Sequence, residues 1–348
     1  MENNVYSLEA SKLSEYVKRL FEAIGTPPQY AHLIAERLVR AHLRGHPSHG
    51  VIRIKQYMDA YRAGLLDPKA QPIVEVQGPC FANVKGNRSF GQVGATFAME
   101  TAIKQARDNG MSVVGCYDMN HVGCLGDYVY MAVLEDLLGL AFCNGGGPNV
   151  AAFGTSERVL GVNPVAFGIP SDSHGILVMD FTSGATAEGK LRVAKEKGQR
   201  VDGGLITDKN GRETTDPADF YEGGAIKTIG GHRGSALSIM IEILAGILPG
   251  GRCSAFDDYM EGNGILFIVL KRDLFRSKED VDRDVDLLYS AVTGAKKAVD
   301  VDRIWFPGEV EEWCQEAAHE IVKINQKTWE AIKQIGNSLD VTEIGLNI

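Results

Sequence analysis

The chain has no excess of positive charge: 36 Lys and Arg stand against 45 Asp and Glu, a formal net charge of −9. With a sequence pI near 5.5, that balance argues against a general binder of nucleic acid or of anionic membranes, which needs a basic face. Long apolar runs are also missing. The longest, residues 236–248, is interrupted by Glu242, and a membrane-spanning helix needs about 20 apolar residues. The first residues, Met1-Glu2-Asn3-Asn4, have neither the basic region nor the apolar core of a secretory leader, so none is expected. Cysteine is sparse, six in 348 residues, with no C-x-x-C pair. The scatter of Cys80, Cys116, Cys124, Cys143, Cys253 and Cys314, mostly in apolar segments, reads as buried, reduced thiols of a cytoplasmic protein. Absent too is G-x-G-x-x-G, the hexamer that lets a strand-turn-helix approach a dinucleotide pyrophosphate. Gly145 and Gly147 begin one, but Val150 stands where the third glycine belongs.

What is present suits a large folded unit. Hydrophobic residues are 44% and charged residues 23%, which excludes wholesale disorder. The length allows two domains or one large α/β unit. Glycine is abundant, 40 residues, so many tight loops are expected. Apolar periodicity predicts helices over 7–24, 28–44 and 50–63, a helical layer. Short strands follow at 73–76 and 81–84 around Gly78-Pro79, then a helix over 92–108 closed by Gly110. Further strands are predicted at 111–117, 140–144, 165–169, 176–180 and 265–270. Helices are predicted at 126–138, 185–197, 309–321 and 328–335, with a buried helix at 236–248 and a polar, turn-rich stretch at 207–216. Ser277-Lys278-Glu279-Asp280 resembles a capping box opening a charged helix. Strands alternating with helices give an α/β class with a largely buried sheet.

Several clusters carry possible chemistry. Gly184-Ala185-Thr186-Ala187-Glu188-Gly189-Lys190-Leu191 nearly matches a phosphate loop, but Leu191 has no hydroxyl for Mg²⁺. A nucleotide-phosphate enzyme using residues 184–190 is therefore the competing class, against a plain glycine-bearing loop before a helix. Gly45-His46-Pro47-Ser48-His49-Gly50 is the densest polar cluster. A metal site of His42, His46 and His49 is disfavoured because Pro47 breaks the helix between them, so no metal is expected. A serine nucleophile elbow has one residue too many. The plain reading is that Ser48 caps a helix beginning at Gly50, which also leaves Ser48 and His49 at an anion-friendly helix end. His121, in Asn120-His121-Val122-Gly123, follows a predicted strand, where α/β sheets place ligands, and is a candidate acid/base. Asp180 and Phe181-Thr182-Ser183 form another strand-end polar cluster. His232-Arg233 places a cation at a helix start, against the helix dipole, which a bound anion would offset.

Together these segments resemble the non-Rossmann malate/L-lactate dehydrogenases of the second type, closest to the broad hydroxycarboxylate dehydrogenase subgroup. The resemblance runs from about residue 38 to 308. It rests on Ser48-His49-Gly50, Ser89-Phe90-Gly91-Gln92, Asn120-His121-Val122-Gly123, Gly161-Val162-Asn163-Pro164, Met179-Asp180-Phe181-Thr182-Ser183 followed by Gly189-Lys190, Gly231-His232-Arg233-Gly234 and Pro307-Gly308-Glu309. It implies an α/β fold with a mixed sheet between helix layers, and a cytoplasmic homodimer. The implied layout is a helical layer, 1–75, packed with C-terminal helices of 300–348, a mixed α/β substrate region, 76–120, and a cofactor-binding unit, 121–299. The implied reaction is hydride transfer between NAD or NADP and a small 2-oxo/2-hydroxy acid. Reduction of a cyclic imino acid or of sulfopyruvate is the alternative. By resemblance the proton belongs to His49 in some members and to His121 in others, with Ser48 beside them. Arg53, four residues past His49, is assigned to the substrate carboxylate, and Asn163 to the substrate. His121, Val122, Gly123, Met179, Asp180, Phe181, Thr182, Ser183, His232, Arg233, Pro307, Gly308 and Glu309 are assigned to the cofactor. The family usually has Gly-Tyr-Lys-Gly where this chain has Gly231-His232-Arg233-Gly234, so contacts there differ in shape. Gly145-Gly146-Gly147 also replaces the family's usual polar loop.

Overall fold

A computed structural model describes residues 5–259 and 262–342; Met1-Glu2-Asn3-Asn4 and the last six residues of the C-terminal segment lie outside the described residues. The chain opens with β1 (Val5–Glu9), α1 (Ala10–Ala23), α2 (Pro28–Leu43), a 3-10 turn (Pro47–His49) and α3 (Arg53–Arg62). Next come β2 (Ile73–Gly78), β3 (Phe81–Ser89), α4 (Gly91–Asn109), β4 (Met111–Met119), α5 (Gly126–Leu134) and β5 (Leu137–Asn144). The middle holds β6 (Val150–Ala151), β7 (Arg158–Leu160), β8 (Pro164–Ser171), β9 (Gly175–Thr182), α6 (Glu188–Glu196), β10 (Ile206–Thr207), β11 (Glu213–Thr214), α7 (Pro217–Tyr221) and β12 (Ala225–Ile226). α8 (His232–Ile241) runs on into a π-helical segment, Glu242–Ile247. β13 (Asn263–Lys271), α9 (Lys278–Thr293), α10 (Glu309–Ala318), β14 (Ile321–Asn325) and α11 (Gln326–Ser338) complete the order.

The main sheet has seven strands in the order β2-β3-β4-β13-β5-β8-β9, parallel only between β3 and β4. One face is covered by α4 and α5, whose Ala98, Met99, Val129 and Ala132 pack on Val114, Ala141, Ile265 and Phe267. The other face meets α8, where Ile241 and Ala245 pack on Val165. Strands from both sides of residue 120 hydrogen-bond in this one sheet. A five-stranded sheet, β11-β10-β12-β6-β7, has its own small core around Val150, Leu191, Ile206 and Phe220.

Three local expectations are corrected. Residues 7–9 are strand, because β1 pairs antiparallel with β14, Leu8 opposite Val322. The helix predicted over 309–321 stops at Ala318, where His319 and Glu320 take positive φ of 46° and 58°. A five-residue strand whose partner lies some three hundred residues away leaves no local signal. The segment 236–248 is not a buried helix: Met240 is 53% and Leu248 65% exposed, and Ile239, Ile243 and Ile247 share that open face. Ser277 does cap α9, accepting from the Asp280 amide. Of the six free cysteines, Cys116, Cys143 and Cys253 are buried and the others half-buried.

β14 and α11 share one core with α1, α2 and α3. Trp329, 1% exposed, fills its centre between Tyr6 and Tyr16, at ring distances of 6.4 and 5.9 Å. Trp329→Ala should cost about 3–5 kcal/mol of stability, the usual range for emptying such a site. Chemical denaturation measures it; an unchanged midpoint would contradict a shared core.

Candidate active site

Two residues past β4, the chain turns sharply and presents His121. The turn is fixed from three sides. Gly91, the first residue of α4, lies so close that a Cβ there would sit 2.2 Å from the Asn120 carbonyl oxygen and 2.4 Å from that of His121. The Asn120 amide donates to the carbonyls of Leu65, Arg88 and Ser89, and the Val122 N–H donates to Asn263 Oδ1 at 2.9 Å. The His121 Nδ1 lies 3.0 Å from the Tyr57 hydroxyl and accepts from the Gly123 N–H at 3.3 Å.

His49 comes to the same place from the helical layer. Its ring stacks on that of His121, centroids 5.7 Å apart. The 3-10 turn that carries it is pinned by His42, whose Nδ1 accepts from the Val51 N–H at 3.2 Å. Gly50 is required there, since a Cβ would fall 1.8 Å from that nitrogen. Ser48 is therefore not the cap of a helix starting at Gly50. α3 begins at Arg53 without a side-chain cap, and the Ser48 hydroxyl lies 3.1 Å from His49 Nδ1 instead. Arg53, first residue of α3, donates from Nε to the Ser48 carbonyl at 2.7 Å and from Nη1 to Gln56 Oε1 at 2.7 Å.

The electrostatics of this cluster are one-sided. Burial, reinforced by the Arg53 charge, pushes His49 down to about 3 and His121 well below its ordinary value. Burial also pushes the Tyr57 hydroxyl up to about 12, against the pull of Arg53. At neutral pH both imidazoles are uncharged and Tyr57 is protonated. The cluster keeps only the Arg53 cation, and no carboxylate among the described residues pairs with it at ion-pair distance. A half-buried cation without an ion-pair partner can receive a small anion.

The other predicted residues fall into separate places. Strand alternation puts Met179 and Asp180 on opposite faces of β9: Met179 packs near Leu237 of α8, while Asp180 accepts from the Gly126 N–H at 2.7 Å at the start of α5. The five residues 179–183 therefore do not line one surface. Asp180 opens into a narrow cleft with Arg44, His46, Cys124, Asp127 and Glu311, whose 20 Å³ of free space fits a single water. Burial between these walls pushes its carboxyl up to about 6. Phe181 is exposed; Thr182 Oγ1 donates to the Gly184 carbonyl and Ser183 Oγ to that of Val162. Arg233 lines an open hollow of about 250 Å³ with Ile229, Gly230, Gly234 and Leu237, and His232 sits edge-on to Phe153. Following Pro307, Gly308 (φ 94°) packs on β9, where a Cβ would lie 2.8 Å from the Ile176 carbonyl oxygen. Glu309 accepts from the Phe306 N–H, the Tyr289 hydroxyl and Arg303, so its carboxylate is spent on holding this segment. Asn163 is fully buried, its amide donating to Ser238 and Glu242 and accepting from the Gly145 N–H. It lies in a structural knot, apart from the histidine pair. The near-phosphate loop gives no Mg²⁺ ligand at Leu191, which is 0% exposed in the small core. Its Gly189 faces Ser48, at 3.8 Å from a built Cβ. Among the described residues no three His, Cys, Asp or Glu side chains come together to hold a metal, and no helix is long and apolar enough to cross a membrane.

Tyr57 and Gln92 are the two residues that sequence reasoning missed in this role. Tyr57 reads as one more apolar position on the buried face of α3. Its spacing of four from Arg53 and eight from His49 is the signal that places it on the same side.

Gly91→Ala should push the Asn120–His121 peptide aside, cost about 1–3 kcal/mol by overpacking and shift the His121 imidazole NMR signals. Unmoved His121 signals in the variant would contradict this close approach.

Comparison with known proteins shows the family and the fold. A family model for malate/L-lactate dehydrogenase matches residues 8–333. The malate dehydrogenase of Pyrococcus horikoshii is 31% identical over 355 residues, 98% of each chain. The L-sulfolactate dehydrogenase of Methanothermobacter thermautotrophicus is 34% identical over 332 residues, 93% of this chain and 95% of that one. The solved structure of the sulfolactate dehydrogenase from Methanocaldococcus jannaschii superposes with a TM-score of 0.90 at 30% identity, covering 97% of this chain and 98% of that one. The mixed α/β fold is the fold of those enzymes, and the chain belongs to the malate/L-lactate dehydrogenase family of oxidoreductases.

Proposed function

We propose that the protein interconverts a small 2-hydroxy acid and its 2-oxo acid with NAD or NADP. Arg53 holds the substrate carboxylate and His121 moves the proton at the C2 oxygen. The observation that carries this reading is the half-buried Arg53 guanidinium, without an ion-paired carboxylate among the described residues, beside two uncharged imidazoles.

The balanced change is 2-hydroxy acid plus NAD(P)⁺ to 2-oxo acid plus NAD(P)H plus H⁺. A bound nicotinamide would accept the hydride from C2. The chain's own residues do the rest. Arg53 orients the acid through a charge-assisted pair, and His121 takes the hydroxyl proton at Nε2 as the C2–H bond breaks, returning it in reduction. His49 stacks beside it, and Ser48 orients His49. The carboxylate also offsets the Arg53 charge that holds His121 neutral, so His121 becomes an effective base only with substrate in place.

The hollow at the start of α8 fits a phosphate-bearing cofactor. Arg233 reaches into it with no ion pair or hydrogen bond among the described residues, and the first turn of α8 has no side-chain cap. Ser183, whose carbonyl accepts from the Ile229 N–H, and Asn163, which donates to Ser238 of α8, hold the elements around that hollow. Asp180 stands at the far end of the cleft behind Cys124. A homodimer belongs to the same proposal, supported by the open apolar face of Ile239, Met240, Ile243, Ile247 and Leu248.

The test is a panel of malate, lactate, sulfolactate and a cyclic imino acid with both cofactors, for three proteins. Wild type should turn over at least one 2-hydroxy acid. Arg53→Gln should raise KM about 10–100-fold, the worth of a charge-assisted hydrogen bond. His121→Asn should lower kcat about 10²-fold or more. Absence of any cofactor reduction, or variants equal to wild type, would contradict the proposal.

A further inference from the structure

We infer that Gln92 is a positioning residue that acts through Tyr57 to decide which ring nitrogen of His121 carries the proton. The inference rests on the proposed role of His121 and goes one step deeper into the same site.

Gln92 and Tyr57 are 1% and 2% exposed. Gln92 Nε2 lies 2.7 Å from the Tyr57 oxygen, which lies 3.0 Å from His121 Nδ1. The three groups form a chain of hydrogen bonds, and the other end of the Gln92 amide, Oε1, is buried with no hydrogen-bond partner among the described residues. Leaving such an oxygen unpaired is unfavourable, so the orphan atom points to a second state of the chain.

The logic is a count of protons. With Gln92 donating from Nε2, the Tyr57 oxygen is already an acceptor, so its own hydrogen must go to His121 Nδ1. That nitrogen also accepts from Gly123, and the imidazole proton then sits on Nε2. Such a ring cannot take a proton at Nε2. Turning the Gln92 amide by half a rotation exchanges its oxygen and nitrogen, which have nearly the same shape. Oε1 then accepts the Tyr57 hydrogen, the Tyr57 oxygen accepts from His121 Nδ1–H, the long 3.3 Å bond from the Gly123 N–H to Nδ1 is given up, and His121 Nε2 carries a free lone pair. Imidazolium, the product of proton uptake, needs this second state too, because both of its nitrogens donate. Arg53 has only donors, and His49 is engaged by Ser48 through Nδ1. The charged and titratable groups facing His121 are Arg53, His49 and Tyr57.

The test is the pH dependence of kcat for alcohol oxidation in Gln92→Met and Gln92→Glu. Methionine keeps the size but offers no acceptor for the Tyr57 hydrogen. Its plateau rate should fall about tenfold, the worth of one hydrogen bond, and its acid limb should move to lower pH by about one unit. Glutamate supplies an acceptor only. It should keep the plateau within a few-fold and move the limb to higher pH. Tyr57→Phe removes the link, so Gln92→Met added to it should change the limb no further. A limb unmoved in both Gln92 variants overturns the inference. So does a further displacement in the double variant. If Gln92→Met does not fold, Gln92→Glu and Tyr57→Phe decide alone. His121→Asn separates the two levels: wild-type turnover there defeats the His121 reading itself, whereas an inactive His121→Asn with unmoved Gln92 limbs defeats only this step.

Discussion

A single half-buried cation organises the site. Arg53, at the first residue of α3, holds the 3-10 turn through the Ser48 carbonyl and has no carboxylate at ion-pair distance among the described residues, although Glu188 lies near enough to act on its charge. Its field, added to burial, keeps His49 and His121 uncharged. A half-buried charge without an ion pair leaves room for a partner that arrives from solution, and the acidic side chains Asp127, Asp180 and Glu311 line the narrow cleft that Cys124 also borders.

The scaffold brings that charge to His121 from distant parts of the sequence. The helical layer supplies His49, Arg53 and Tyr57; the end of β4 supplies His121; the start of α4 supplies Gln92. Each junction is made by backbone approach: Gly50 against His42, and Gly91 against the Asn120–His121 peptide. The close approaches fix where the 3-10 turn and the Asn120–His121 peptide stand, and proton transfer depends on such positioning. The mixed sheet is the frame, with α4 and α5 on one face and α8 on the other. The two faces divide the labour: His121 sits at the strand ends, and the open hollow lies at the start of α8.

Much of this was legible in the sequence. Helix and strand identity followed from apolar periodicity across α1 to α5, because those segments bury one face. The motifs Ser48-His49-Gly50 and Asn120-His121-Val122-Gly123 pointed to the two imidazoles, and the four-residue step to Arg53 placed it beside them. What was hidden depends on distance in the chain or on direction. β1 and β14 pair across the whole length of the protein. Tyr57 and Gln92 look like core residues until their polar ends are seen to meet. The run Met179-Asp180-Phe181-Thr182-Ser183 reads as one surface in a string of letters, yet a pleated strand sends neighbours to opposite faces. Asn163 and Glu309 read as ligand contacts, while their amide and carboxylate are taken up within the fold.

The central claim is that burial and the Arg53 charge together hold His121 neutral, and that a bound acid removes the Arg53 share. NMR titration of ¹⁵N-labelled histidines, in protein carrying its nicotinamide cofactor, with and without the 2-oxo acid analogue oxamate, tests it most directly. Without oxamate both His49 and His121 should titrate well below the ordinary imidazole range, and with it His121 should titrate at a clearly higher pH. Ordinary titration of both rings near pH 6.5 in the oxamate-free protein, or a His121 midpoint unmoved by oxamate, would contradict the account.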